Sequence, residues 1–196
     1  MSWKPNYQER IRRLWVLLGH FGIIAYDTFD RPDNPTSLGL ADTGQAWQSL
    51  QGTWGIADNQ AYTSVSAPDR RAAIDIGISD KYVVSCVLKT DSSAQMGIIV
   101  RASNQSNLLR VILTTVNLYV QKIVGATLTT LATIPITRTS SDLLKVEVDG
   151  STIKAYLNGG LKATVTDSTH MNNTKVGIEI HNSTTARIDN FAVEVL

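Results

Sequence analysis

The feature that most constrains this fold is a period of two in the pattern of apolar and polar residues. It is clearest in four segments: DLLKVEVDG (142–150), TIKAYLNGG (152–160), KVGIEIHN (175–182) and IDNFAVEVL (188–196). Successive side chains of a β-strand point to opposite faces of a sheet, so this alternation predicts strands with one apolar face and one polar face. Such strands are typical of antiparallel sheets that pack on a core on one side only.

The alternation also assigns individual side chains to faces. In KVGIEIHN the valine and the two isoleucines share the apolar face, whereas Glu179 and His181 share the polar face. We expect polar faces of this kind to be solvated.

Turn residues separate the predicted strands. The pair Asp149-Gly150 and the run 158–160 tolerate the positive φ that tight hairpins need, and they define strands at about 142–149, 152–158 and 161–166. With the remaining apolar runs, about a dozen short strands follow one another without a helical segment of convincing length. The pattern predicts an all-β fold, an antiparallel β-sandwich or jelly roll, and disfavours a parallel α/β sheet.

Length, charge and cysteine content limit the class of protein. The 196 residues are 43% hydrophobic and 18% charged, a composition typical of a globular chain that can bury one core. The formal net charge is +1, whereas a nucleic-acid-binding domain usually has a pronounced basic excess. The single cysteine, Cys86, excludes an internal disulfide and a multi-cysteine metal site, and we expect it to be buried. We therefore predict one globular domain that does not bind nucleic acid.

The N-terminal segment differs from the rest because its apolar residues recur at spacings of three and four. This spacing predicts a helix over residues 5–19, which is too short to be stable alone in water and needs a partner surface. That surface is either its own domain or another subunit. We favour another subunit and divide the chain into an attachment arm (1–26) and a sandwich (27–196). The docking residues of the arm would be Trp3, Tyr7, Ile11, Leu14, Trp15, Leu18 and Phe21.

The apolar run over residues 14–25 follows basic residues, as in a secretion signal. His20 and two glycines interrupt it, and no small-residue cleavage site precedes Tyr26. The run is also shorter than the roughly 20 apolar residues that span a bilayer. We predict neither a cleaved signal nor a membrane span.

Several motifs resemble the concanavalin A-like lectin/glucanase sandwich, the laminin-G-like group found in tailed-phage tail and bacterial surface proteins. They are DTFDRPDNPTSLG, Trp47 and GTWGIADNQAY at the start, LLKVEVDGSTIKAYLNGGLKATVTD in the hairpin region, and ARIDNFAVEV at the end. The resemblance covers residues 27–196. It implies a sandwich closed by pairing of its first and last strands, with Phe29 and Phe191 as candidate contacts. The fold hosts binding modules, enzymes and structural units alike, so it does not give a function by itself.

The β-glucan-cleaving enzymes of that family carry two glutamates with an intervening aspartate on one strand. The glutamates here are Glu9, Glu147, Glu179 and Glu194, and none forms such a set, although glycosidic cleavage requires paired carboxylates. No nucleophile-elbow, Walker or dinucleotide motif is present. We predict that the protein is not an enzyme.

Members of the family often bind one calcium ion near the first and last strands. Asp27, Asp30 and Asp189 lie at comparable places and offer the oxygen ligands that calcium requires. The alternative is that Asp27 and Asp189 make hydrogen bonds at strand ends. The resemblance thus implies a structural calcium, and no other cofactor is predicted.

Sugar binding in such a sandwich would use exposed aromatic side chains with polar neighbours. The candidates are Trp47, Tyr62, Tyr119 and Tyr156, and Tyr156 is favoured because it lies on the polar side of its strand beside Asn158. For each ring the alternative is partial burial in the sandwich. Polar runs such as TDSSAQ, SNQSN and HNSTT suit both a sugar-facing protein and a virion exterior.

Three classes of function compete. We favour a non-catalytic structural or adhesion protein on the virion exterior of a tailed phage: a minor tail, tail-tip or capsid decoration protein. Its arm would dock to other virion proteins in a homo-oligomer or multi-copy assembly, and its sandwich would face host-cell polysaccharide. The alternatives are a carbohydrate-binding module of a bacterial surface or secreted protein and, least favoured, a polysaccharide-active enzyme.

Overall fold

Two antiparallel β-sheets pack face to face in the structure, a computed structural model that describes residues 22–89 and 94–196. Every regular element in these two ranges is a β-strand. One sheet contains β1 (Ile23–Asp27), β3 (Trp54–Ala57), β4 (Gln60–Thr63), β6 (Tyr82–Lys89), β11 (Ser141–Asp149), β12 (Thr152–Leu157), β13 (Gly160–Thr166) and β15 (Arg187–Val195). The other contains β2 (Gln48–Gln51), β5 (Arg70–Asp75), β7 (Gln95–Asn104), β8 (Asn107–Leu113), β9 (Asn117–Val124), β10 (Thr127–Pro135) and β14 (Lys175–His181).

The strand order confirms the predicted antiparallel sandwich. The eight-stranded sheet runs β13-β12-β11-β6-β15-β4-β3, and β1 pairs with β15 beside this path. The seven-stranded sheet runs β10-β9-β8-β7-β14-β5-β2. The central strands of both sheets are therefore drawn from distant parts of the chain.

The core lies between the sheets and uses the apolar faces that the alternation predicts. Cys86 on β6 is fully buried, as expected, and so are Trp54 and Ile56 of the TWGI motif. Burial of one large apolar side chain contributes about 1.5–3 kcal/mol, so these inner faces supply the main driving force for folding.

The hairpins predicted from turn residues are present. Strands β11, β12 and β13 begin and end within one residue of the predicted bounds. Gly150 (φ 52°), Asn158 (φ 51°) and Gly159 (φ 83°) adopt the left-handed conformations that such turns need. Turn chemistry therefore locates this part of the sheet correctly.

The first and last strands pair, as the resemblance implies. Asp27 on β1 lies opposite Phe191 on β15, and this pairing covers the edge of β15 that β4 leaves open. The ring of Trp47 packs against both Phe29 and Phe191, with centroids 5.9 and 5.1 Å apart. Strand β1 begins at Ile23, four residues before the start that the sequence suggests for the sandwich.

Residues 1–21 of the predicted arm (1–26) lie outside the described residues, whereas residues 23–26 belong to β1. The helix of the arm over 5–19 and its docking residues (Trp3, Tyr7, Ile11, Leu14, Trp15, Leu18 and Phe21) stay predictions. Within the described part of the chain, no helix is long and apolar enough to cross a membrane.

Candidate functional site

A buried cluster of charged side chains lies on the outer face of the seven-stranded sheet. It consists of Asp69 before β5, Arg71 on β5, Arg110 on β8, and Glu179 and His181 on β14. These residues alternate with core residues of the same strands, and Glu179 lies directly opposite Arg71 in the register. Glu179 is 0% exposed and His181 6% exposed, so the expectation of a solvated polar face is wrong for this strand.

Glu179 is the centre of the cluster. Its Oε1 accepts hydrogen bonds from Arg71 Nε at 2.8 Å, Arg110 Nη1 at 2.7 Å and His181 Nε2 at 2.7 Å. Burial by itself raises the pKa of a carboxyl. Here the hydrogen bond from His181 and the two guanidinium charges outweigh burial and lower the pKa of Glu179 to about 2. Glu179 is therefore ionised at neutral pH and holds both arginines in place.

The tautomer of His181 follows from its neighbours. The backbone N–H of Asp69 donates to Nδ1 at 3.3 Å, so Nδ1 is an acceptor and the ring proton lies on Nε2. Nε2 then donates to Glu179, and Arg110 Nη1 lies 3.1 Å from it. The two arginines and the two carboxylates of the cluster balance in formal charge.

Asp69 connects the cluster to solvent, because 39% of its side chain is exposed. Its Oδ1 accepts a hydrogen bond from Arg71 Nη2 at 2.7 Å and lies 3.4 Å from Arg110 Nη1. Its φ of 56° is in the left-handed region, which aspartate tolerates better than most residues. The contacts to His181 and the two arginines fix this conformation.

A pocket of about 290 Å³ adjoins the cluster, near the lower end of the roughly 300–1,000 Å³ typical of small-molecule sites. It is lined by Gln51, Asp69, Arg71, Gln105, Ser106, Arg110, Ile123, Ala126 and Leu128. Neither Oδ2 of Asp69 nor Nη2 of Arg110 makes a hydrogen bond to any described residue. Asp69 and Arg110, which both line the pocket, therefore keep a charged acceptor and a charged donor with unused hydrogen-bonding capacity.

The two arginines are held from several sides. Arg71 Nη1 donates to the carbonyl of Gln105 at 2.9 Å and to Gln51 Oε1 at 3.2 Å, which ties the β7–β8 hairpin and strand β2 to the cluster. Arg110 Nε donates to Gln121 Oε1 at 2.9 Å. A small apolar cluster packs on the same face of the sheet: Ile99, Ala102, Leu108 and Ile123, with Leu50 from β2 against it. The walls of the pocket are thus preorganised.

Asp69, Glu179 and His181 also form the one group of three metal-type ligands among the described residues, with ligand atoms within 4.8 Å of one another. Nη1 of Arg110 lies 3.4 Å from Asp69 Oδ1, 2.7 Å from Glu179 Oε1 and 3.1 Å from His181 Nε2. A guanidinium therefore takes the position of a cation and would repel a second positive charge. This donor set does not fit a metal ion.

The same geometry bears on hydrolysis at the cluster. A glycosidase acid must hold a proton near working pH, which requires a raised pKa. Glu179 has a lowered pKa of about 2 and is fully buried, so it can neither donate a proton to a bound sugar nor reach one. The arrangement suits binding.

The aromatic residues predicted to bind sugar do not line this pocket. Trp47 is wedged between two phenylalanine rings, and its indole N–H donates to Asp27 Oδ2 at 2.6 Å. Tyr62 on β4 lies under the guanidinium of Arg187, whose carbon is 5.0 Å from the ring centroid. Tyr119 is on β9 and alternates with core residues, so it shares the outer face of the seven-stranded sheet with the cluster.

Tyr156 and Asn158 belong to the other sheet. The hydroxyl of Tyr156 donates to Glu147 at 2.8 Å, and the Lys145 ammonium lies 4.2 Å from the ring centroid. Nδ2 of Asn158 donates to Asp142 at 2.9 Å, which anchors the β12–β13 turn. Sugar binding at these residues stays a prediction.

The three aspartates predicted to bind calcium differ in their surroundings. Asp27 is buried, and its two oxygens accept hydrogen bonds from Nη1 and Nη2 of Arg31, both at 2.8 Å. Asp189 pairs with Lys89 at 2.8 Å, and Asp30 is exposed. These carboxylates form no three-ligand group within the described residues. Calcium binding stays a prediction.

The pocket was missed by sequence analysis although a signal was present. Arg110 interrupts the apolar run NLLRVIL and Arg71 directly precedes the apolar run of RRAAID, and a charged residue that is buried in a strand must be paired. The partner could not be found from sequence alone, because Glu179 lies 108 residues after Arg71. Only the strand order brings the two together.

No family model matches the chain, and no curated protein matches it. Solved structures do resemble it. The carbohydrate-binding module CBM66 from Bacillus subtilis superposes with a TM-score of 0.65 at 20% identity, covering 76% of this chain and 94% of that one. The GH43 protein BlXynB from Bacillus licheniformis, as its K247S mutant, gives a TM-score of 0.66 at 16% identity and covers 88% of this chain.

This chain spans 39% of BlXynB, so the similarity concerns one part of that enzyme. The carbohydrate recognition domain of Emp47p gives a TM-score of 0.59 at 10% identity, covering 88% and 95% of the two chains. At these identities the similarity establishes the fold alone. The comparisons confirm the β-sandwich fold, and they give no support to a virion protein.

Proposed function

We propose that this chain is a non-catalytic, lectin-like module that binds glycans in the pocket beside Asp69 and Arg110. The observation that carries the proposal is the unused acceptor and donor pair, Asp69 Oδ2 and Arg110 Nη2, at the wall of a pocket of about 290 Å³. A sugar hydroxyl both donates and accepts hydrogen bonds, so two neighbouring hydroxyls match such a pair.

The charge of the site supports a neutral ligand. The arginines and carboxylates of the cluster balance in formal charge, and the whole chain has a formal net charge of only +1. Glu179 and Gln121 accept hydrogen bonds from Arg110 and hold its guanidinium before any ligand arrives. Preorganisation of this kind lowers the entropic cost of binding a small polar molecule.

The fold supports the same class of function. Solved structures described as a carbohydrate-binding module and as a carbohydrate recognition domain share it. The setting that we propose is a bacterial cell-surface or secreted protein, because CBM66 and BlXynB both come from Bacillus species. The virion setting depends on the N-terminal arm, of which residues 1–21 lie outside the described residues, and it stays a prediction.

The substitution Asp69→Asn tests the proposal. Asparagine keeps an acceptor for the two arginines but replaces Oδ2 with an amide that cannot accept. Labelled protein is applied to an array of bacterial and mucin-type glycans, and each glycan bound is titrated by calorimetry. We expect Asp69→Asn to weaken binding at least about tenfold, the effect of losing a hydrogen bond to a charged group.

The matched control is Asp149→Asn, an exposed carboxylate in the other sheet that pairs with Lys81 at 3.4 Å. It should leave the dissociation constant unchanged. Unaltered binding by Asp69→Asn would place the glycan elsewhere, and an array without any bound glycan would reject the proposed function. Release of reducing sugar from a bound glycan would show an enzyme instead.

A further inference from the structure

The pocket has an aliphatic wall beside its charged residues, formed by Ile123, Ala126 and Leu128. Ile123 on β9 and Leu128 on β10 lie directly opposite each other in the register. Ile123 is buried in the small outer cluster, whereas Leu128 is 49% exposed. An exposed leucine next to a buried apolar cluster leaves apolar surface for a ligand to cover.

The lining contains no aromatic side chain among the described residues. A sugar in this pocket is therefore not held by stacking on a ring, and its apolar contact must be made with aliphatic groups. Branched aliphatic side chains pack well against a methyl group, which presents a small apolar surface without a preferred flat face. The wall thus complements a methyl substituent better than a hydroxymethyl group.

The turn between β9 and β10 gives independent support. Gly125 and Ala126 have φ values of 55° and 69°, so both central residues of this two-residue hairpin are left-handed. Such turns strongly prefer glycine or asparagine, because a Cβ is strained in this conformation. Ala126 keeps its methyl group despite that strain and lines the pocket, and strain of this kind is concentrated at functional positions.

We infer that the ligand is a sugar that carries a methyl group, with its hydroxyls on Asp69 and Arg110 and its methyl on the aliphatic wall. The inference rests on the proposed function and specifies its substrate class. The methyl can belong to a 6-deoxyhexose or to an N-acetylhexosamine, since both offer the same contact.

Matched sugar pairs separate these sources. L-fucose is compared with L-galactose, L-rhamnose with L-mannose, and N-acetylglucosamine with N-formylglucosamine, each by titration with saturation-transfer NMR. In at least one pair the methyl-bearing sugar should bind about fourfold more tightly, the factor expected for one buried methyl-sized group. The pair that shows the preference identifies the ligand class.

Two variants test the wall. Leu128→Ser should bring the ratio of the two dissociation constants within the preferred sugar pair closer to one. Leu161→Ser, which changes a leucine of similar exposure in the other sheet, should leave that ratio unchanged. Ala126→Gly should reduce the preference without lowering the midpoint of thermal unfolding, because glycine relieves the strained turn. A merely structural role for Ala126 predicts no change in the preference.

The outcomes distinguish this inference from the proposed function. If the sugars bind through Asp69 but no pair shows a preference, the methyl assignment is wrong and the glycan-binding function stands. A preference that Leu128→Ser leaves intact also overturns the assignment. If no sugar or array glycan binds, both proposals fail.

Discussion

At the scale of single residues, Arg110 has two roles: it pairs with the buried Glu179, and it offers a donor to the proposed ligand. Its Nε and Nη1 are used by Gln121 and Glu179, whereas its Nη2 has no partner among the described residues. The same guanidinium occupies the position where Asp69, Glu179 and His181 would otherwise accept a cation. A fixed arginine can therefore supply the positive charge at the proposed sugar site, so that sugar binding there should persist in a metal chelator.

The substitution Glu179→Gln should destabilise the protein by about 3–5 kcal/mol. It removes the carboxylate that accepts from Arg71 and Arg110 and leaves two buried guanidinium groups with the partly exposed Asp69 as their remaining charge partner. Denaturant unfolding at pH 7 measures the loss. The control is Glu194→Gln on β15, a partly exposed glutamate whose replacement should change the free energy of unfolding by no more than about 0.5 kcal/mol. Equal stability of the two variants would refute the central role of Glu179.

At the scale of secondary-structure elements, the sequence predicts strands and turns well and the site poorly. Alternation and turn residues locate β11 to β13 within one residue, because both are local properties of the chain. The pocket joins residues of β2, β5, β8, β9 and β10, and strand order is not local. Alternation marks Glu179 as polar, but it cannot tell a solvated face from one that other strands and hairpins cover.

Deletion of residues 1–21 tests the division into arm and sandwich at this scale. Strand β1 starts at Ile23, so the deletion keeps its pairing with β15 and the hydrogen bond from Val195 N–H to the Gly22 carbonyl. We expect the midpoint of thermal unfolding to change by less than about 3 °C, which corresponds to about 1 kcal/mol for a domain of this size.

The control for that deletion is removal of residues 1–27, which also deletes β1 and exposes the edge of β15. That variant should aggregate or unfold at a clearly lower temperature. If both deletions are equally damaging, the arm is part of the sandwich. Loss of self-association in the shorter deletion, seen by light scattering, would support the predicted docking role.

At the scale of the whole molecule, the two sheets share a core but carry different outer faces. The outer face of the eight-stranded sheet bears ion pairs that remain accessible to water, such as Lys145 with Glu147 at 2.8 Å. The outer face of the seven-stranded sheet holds a second, buried polar layer around Glu179, with the pocket beside it. The proposed binding site and the stability of the fold therefore depend on the same carboxylate, Glu179.

This coupling predicts a specific dependence of stability on pH. The pKa of Glu179 is about 2 in the folded protein and 4.5 in the unfolded chain. Between these values the unfolded state binds more protons, so the free energy of unfolding rises with pH across this window. The contribution of ionised Glu179 to the free energy of unfolding is complete above pH 4.5 and is lost as pH falls toward 2. It totals about 3 kcal/mol, at 1.36 kcal/mol per unit of pKa.

Other carboxyls with lowered pKa values, among them Asp142 and Asp167, contribute to the same slope. The contribution of Glu179 is isolated by subtracting the profile of Glu179→Gln from that of the unmodified protein. The difference between the two free energies of unfolding should be constant above pH 5 and should shrink steadily between pH 4.5 and 2. A difference that stays constant down to pH 2 would mean that Glu179 is not held ionised by the two arginines. The proposed glycan-binding site would then lack the charge that fixes Arg110.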